Sequence, residues 1–533
     1  MKRTVMTLGM GTIMGLVAAC GSVNDSRYTI PQADQASGLV SSGLTAGVQP
    51  LSRLAQPENR DRYEEVTDNT VKLVSAEPVS TFSIEADTAS YANVRRFLQE
   101  GVLPPADAVR IEEMINYFDY NYPSPAGADR PFAADLALFT APWDTGSQLL
   151  RIGIKGYAIE PAERPRANLV FLVDTSGSMQ SPDRLPLLKR SFAMLVEELR
   201  PEDRIAIVAY AHSAGVVLEP TPGNEKRAIL QALDDLHAGG STAGGEGINL
   251  AYRLAEEHFD EGAVNRVILA TDGDFNVGIS DPRQLEDFII GKRESGVYLS
   301  VLGFGRGNLN DLVMQKLAQA GNGHASYIDN LMEARKVLVD EMASTLFPIA
   351  DDVKIQIEFN PEVVAEYRLI GYETRLLARE DFNNDRIDAG EIGSGHAVTA
   401  LYEITPIGSP SRLIDDLRYV KSAAASTVAD EVAWLRMRYK QPGKDESRLI
   451  EQPVMADMAT DFETAPEEAR FATAVAAFGQ ILRQSRHIED FDLDDVQAMA
   501  VAARGDDPFG YRSEFLQLLR LAESVRALDL RGG

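Results

Sequence analysis

The chain has 533 residues, 44% of them hydrophobic and 25% charged, a globular composition too long for one ordinary core. Fifty-two basic against 80 acidic side chains give a formal charge of −28, which excludes nucleic acid and anionic membrane surfaces as charge-held partners and favours divalent cations. One cysteine excludes an intrachain disulfide and a metal held by several thiolates.

Taken in order, Lys2 and Arg3 precede a mostly apolar stretch from Val5 to Ala19, too short and Gly-interrupted for a spanning helix; residues 1–19 are therefore predicted to be a signal peptide. Val17-Ala18-Ala19-Cys20 resembles the lipobox of bacterial lipoproteins. The resemblance implies cleavage before Cys20, lipidation of that residue and a lipid-anchored place in the bacterial cell envelope. With Gly21 following, it implies the outer membrane and leaves the periplasmic or surface face open. Residues 20–59 are small and polar and read as a flexible tether.

Residues 60–165 read as a small N-terminal α+β region. Ser80 to Glu85 alternates as a strand, Ala89 to Glu100 and Pro105 to Phe118 read as helices, and Leu149 to Tyr157 as a second strand. Asp87 or Thr88 is expected to cap the first helix.

Residues 166–345 alternate strand and helix, the pattern of a doubly wound, mostly parallel α/β sheet. Asn168 to Val173 holds five apolar residues without alternation, as a strand covered on both faces should. Further strands are expected at Arg204–Tyr210, Arg266–Ala270 and Val297–Phe304, with an edge strand at Gly215–Leu218. Helices are expected at Leu185–Leu199, Asn224–Leu236, Gly247–Phe259, Pro282–Glu294 and Leu309–Ala320. From 346 to 533 period-two strands (Val353–Phe359, Ala433–Tyr439) give way to helices, which reads as a β-rich plus helical C-terminal domain. Thr464 with Glu467 reads as a capping box there.

The chemistry gathers at strand ends. Asp174, Ser176 and Ser178 follow the first apolar strand of the α/β unit, Thr242 lies in a glycine-rich run, and Asp272 ends another apolar strand. In an open α/β sheet ligands bind at the carboxyl ends of the strands. Carboxylates and hydroxyls converging there suit a hard dication, Mg²⁺, Mn²⁺ or Ca²⁺. Two carboxylates and three hydroxyls leave room in a shell of about six oxygens, so an Asp or Glu of a protein partner could complete it.

Asp-x-Ser-x-Ser at 174–178, Thr242 and Thr-Asp-Gly at 271–273 resemble the metal ion-dependent adhesion site of von Willebrand factor type A (VWA) domains. Phe82–Tyr122 and Phe359–Glu403 also resemble the flanks of bacterial VWA lipoproteins. The resemblance implies that Ser176, Ser178 and Thr242 coordinate the ion directly, and that Asp174 and Asp272 do so directly or through water. The expected function is a lipid-anchored envelope protein that binds an acidic protein partner through the ion. The alternatives are a metal-dependent hydrolase at the same loops, or an envelope scaffold without a working metal site.

Enzyme signatures are missing from the sequence. The six histidines lack metal-ligand spacing, Gly-x-Ser-x-Gly does not occur, and Ser176 stands where an aspartyl phosphatase needs its second acid. Asp274 and Asn276 read as a surface turn. Asp381-Phe-Asn-Asn-Asp opens like a calcium loop, but Arg386 replaces the required Gly and Ile392 the required Glu, so a solvated acidic loop is expected.

Overall fold

The computed structural model describes residues 60–532, apart from 85–86, 126, 128, 242–243, 274–281, 419–429 and 489. The expected signal peptide and tether, with Cys20, Thr242, Asp274 and Asn276, lie outside the described residues.

Strands β1 (Arg166–Asp174), β2 (Arg204–Tyr210), β3 (Ala214–Pro222), β4 (Ala263–Thr271), β5 (Val297–Phe304) and β6 (Ala325–Ile328) form one sheet in the order β3-β2-β1-β4-β5-β6. All neighbours are parallel except β2 and β3. The apolar run of β1 has its expected cause. Leu169, Phe171 and Val173 pack with Leu188 and Phe192, while Val170 and Leu172 pack with Ile248 and Ala251 on the other face. The order reverses at β1, which places a crevice at its carboxyl end.

The flanks are interleaved. Asp144–Gly156, which precedes the central unit, pairs antiparallel with Ala397–Pro406, which follows it, and Val79–Ser83 pairs with Pro348–Phe359. Residues 60–165 and 346–533 therefore build a common pair of sheets, whose shared core includes Phe82, Leu150, Ile152, Ile355, Phe359, Tyr402 and Leu435. A half-buried strand needs a partner edge and an opposing apolar face, and each flank supplies them to the other. Helices Ala89–Gln99, Ile111–Asn116, Glu467–Leu482, Leu493–Ala502 and Tyr511–Gly532 join in the same way around Phe118, Phe471 and Phe515.

Several local expectations need correction. The expected helix from Pro105 to Phe118 is a 3₁₀ turn at Ala106–Ala108 followed by a helix at Ile111–Asn116. Thr88 makes no side-chain cap, and Asp87 accepts from the Ala325 amide at 2.9 Å. Thr464 belongs to a 3₁₀ turn and donates to the Asp461 carbonyl at 3.1 Å, leaving Pro466 at the N-cap of the next helix. A capping box forms instead between Asp492 and Asp495. Strand β6 had no counterpart in the sequence reading; its four residues are too few to show a period. In the Asp381 loop, Lys354 Nζ donates to the Asn384 carbonyl at 2.6 Å and Lys440 Nζ to the Asp385 carbonyl at 2.7 Å, so ammonium groups meet these carbonyls.

Candidate metal centre at the carboxyl edge of the central sheet

Asp174 is the last residue of β1 and is fully buried. Its Oδ1 accepts the Ser176 amide at 2.8 Å, which turns the chain sharply and brings both serines back over the strand end. Ser176 Oγ lies 3.0 Å from Ser178 Oγ. Asp174 Oδ2 faces Tyr210 Oη at 3.3 Å and Thr271 Oγ1 at 3.5 Å, long contacts from neutral donors. Burial pushes the Asp174 carboxyl up to about 6; the Ser176 hydrogen bonds oppose the rise and the charge of Asp272 adds to it. An ionised carboxylate in such surroundings calls for a cation.

Asp272 follows β4 and is buried beside it. Gly273 makes that turn possible: its φ is +97°, and a Cβ there would come within 2.6 Å of the Asn308 carbonyl. The glycine-rich run before Thr242 is tied to the first loop by Gly177 N to Gly240 O at 3.0 Å and Gly239 N to Thr175 O at 2.8 Å. Gly240 takes φ +87° to present that carbonyl. Four predicted site residues, Asp174, Ser176, Ser178 and Asp272, thus sit at neighbouring strand ends at the switch point of the sheet.

Among the described residues no group of three or more His, Cys, Asp or Glu is placed to hold a metal. The donor set here is different in kind, two buried carboxylates and a pair of adjacent hydroxyls. Such oxygens fit a hard dication, which Asp174, Ser176, Ser178 and Asp272 would hold.

Two participants escaped the sequence reading. Tyr210 ends β2, and burial first and Asp174 second push its hydroxyl well above its ordinary range, so it stays a neutral donor. Arg184 pairs with Asp272 at 2.6 Å. Its signal was a cation at the start of helix Leu185–Glu197, where the helix dipole disfavours positive charge.

The chain from Arg60 to Arg62 lies along the loop after β5, next to the turn at Gly273. Arg60 N donates to the Gly307 carbonyl at 3.2 Å, Arg62 N to the Leu309 carbonyl at 2.8 Å, and Leu309 N to Asp61 Oδ1 at 2.8 Å.

Residues 168–340 match the family model described as von Willebrand factor type A domain, 57–151 the model described as von Willebrand factor, and 344–525 the model described as Uncharacterized protein YfbK, C-terminal. Uncharacterized protein YfbK of Escherichia coli (strain K12) is 48% identical over 472 residues, covering 87% of this chain and 81% of that protein. Uncharacterized protein sll0103 of Synechocystis is 33% identical over 192 residues, 36% of this chain and 44% of that protein. Inter-alpha-trypsin inhibitor heavy chain H3 of Homo sapiens is 28% identical over 253 residues, 44% of this chain and 28% of that protein. The chain thus spans less than half the length of those last two relatives. Among solved structures, the von Willebrand factor type A protein from Catenulispora acidiphila covers 76% of this chain and 91% of its own, at 16% identity and a TM-score of 0.44. The extent of the first of these similarities and the three matched regions assign the chain to the YfbK family of proteins, built around a von Willebrand factor type A domain.

Proposed function

We propose that this protein is a lipid-anchored component of the bacterial cell envelope that grips an acidic protein partner through Mg²⁺, Mn²⁺ or Ca²⁺ held at Asp174, Ser176, Ser178, Thr242 and Asp272. VWA domains commonly serve metal-dependent adhesion and protein interaction. The observation that carries the reading is the buried Asp174 carboxylate under two hydroxyls 3.0 Å apart, at the sheet's switch point. These groups bind and orient. An ion held by them would supply positive charge for an incoming carboxylate, and a chain of net charge −28 needs that attraction to be local. Cys20 would carry the lipid, and the outer membrane is the expected location.

The test is affinity capture from envelope extracts with and without chelator, using the native protein, Asp174→Ala and Cys20→Ala. The expected result is a partner retained by the native protein only when the ion is present and lost in Asp174→Ala, with labelled fatty acid incorporated by the native protein and not by Cys20→Ala. Capture that is indifferent to chelator would sink the metal bridge, and label retained in Cys20→Ala would sink the anchor.

A further inference from the structure

The Arg184 side chain sits where a cation is disfavoured, yet it is only 13% exposed and fully engaged at its tip. Its Nη1 donates to the Ser178 carbonyl at 2.7 Å and to Asp272 Oδ2 at 2.6 Å, and its Nη2 donates to the Arg306 carbonyl at 2.9 Å. One planar group therefore ties together the loop after β1, the turn after β4 and the loop after β5. Space is left for it: a Cβ on Gly305, whose φ is +81°, would lie 2.3 Å from Arg184 Nε. The Asp272 side chain is fully shielded from solvent, so salt screens this pair weakly.

We propose that Arg184 is the residue that sets the ion affinity of the site, by competing with the dication for Asp272. The proposal rests on the metal-binding reading above. The guanidinium balances the Asp272 carboxylate. An arriving dication must displace it or share the carboxylate with it, and two cations on one buried carboxylate repel each other. Either route weakens binding relative to a site whose residue 184 is neutral. Lysine is an imperfect substitute, because a compact ammonium on a flexible stem does not reproduce the rigid fork that spans three loops.

The test titrates Mn²⁺ and Mg²⁺ into the full chain by calorimetry, comparing the native protein with Arg184→Gln and Arg184→Lys after thermal melts have checked folding. Arg184→Gln is expected to bind Mn²⁺ about tenfold tighter than the native protein, with Arg184→Lys between the two. A native protein silent to the ion alongside a binding Arg184→Gln variant would also support the proposal. Equal or weaker affinity in Arg184→Gln overturns it and leaves the metal site standing; absence of binding in all three proteins overturns the metal site as well. If Arg184→Gln does not fold, Arg184→Lys decides: affinity equal to or below native overturns the proposal.

Discussion

Asp87 shows how a single buried carboxyl couples this protein to pH. It lies between the first helix and β6, with Arg375 Nη2 and His324 Nδ1 each at 3.7 Å and the Ala325 amide at 2.9 Å. Burial pushes its carboxyl up to about 7 from 3.8. From about pH 4 to about pH 7 the folded protein holds a proton that the unfolded chain has released, so stability falls as pH rises through that window. Glu373, pushed up to about 7, acts in the same direction, while His396, held neutral by burial down to about 3, acts in the opposite one below its ordinary value of 6.5. The comparison that isolates Asp87 is therefore with Asp87→Asn. Melting followed at pH 5 and pH 8 should show a smaller loss of stability in the variant than in the native protein, and an identical loss would show that Asp87 does not titrate in this window. Residues of this kind are hard to read in a sequence. Asp174, Ser176, Ser178 and Asp272 were legible because each follows an apolar strand whose end marks the crevice. Asp87 was misread as a helix cap because the amide it serves lies in β6, and the Asp272 partner of Arg184 is 88 residues away in sequence.

At the scale of elements, one side chain of the first helix gathers three carboxylates from later in the chain. Arg95 is wholly buried in Ala89–Gln99 and pairs with Asp329 beyond β6, with Glu333 at 2.7 Å, and with Glu514 of the last helix at 3.0 Å. It also donates to Tyr117 Oη at 3.1 Å. Removing one partner of a buried ion pair strands the opposite charges, which costs about 3–5 kcal/mol. Arg95→Ala should lower the stability measured by denaturant titration by roughly that amount, whereas a loss below about 1 kcal/mol would mean that water reaches the carboxylates and rescues them. The helix itself was readable to within a residue, because an amphipathic run of this length carries its own period. The ion pairs were not, since local periodicity says which face is buried and never what it is buried against.

At the scale of the whole molecule, the same blindness explains the flanks. Alternation announced strands on both sides of the VWA domain, yet nothing in either stretch encodes that Leu401 should lie opposite Arg151 or Ile355 opposite Phe82. Since each flank completes the other's sheet, a chain cut after residue 345 should leave Leu149–Lys155 paired only with Phe132–Ala141 and bare on the edge that meets Ala397–Pro406. Hydrogen exchange should find the amides on that bared edge protected in the full chain and fast in the truncated one; equal protection would mean that the N-terminal strands fold unaided. Arg60 and Arg62 have a mechanical position of their own. Tension applied at Arg60 passes to the Gly307 and Leu309 carbonyls, on the loop whose Arg306 carbonyl accepts from Arg184. Load entering at Arg60 would thus be felt at the Arg184–Asp272 pair, which makes this corner of the fold a lever arm for any pull the chain receives there.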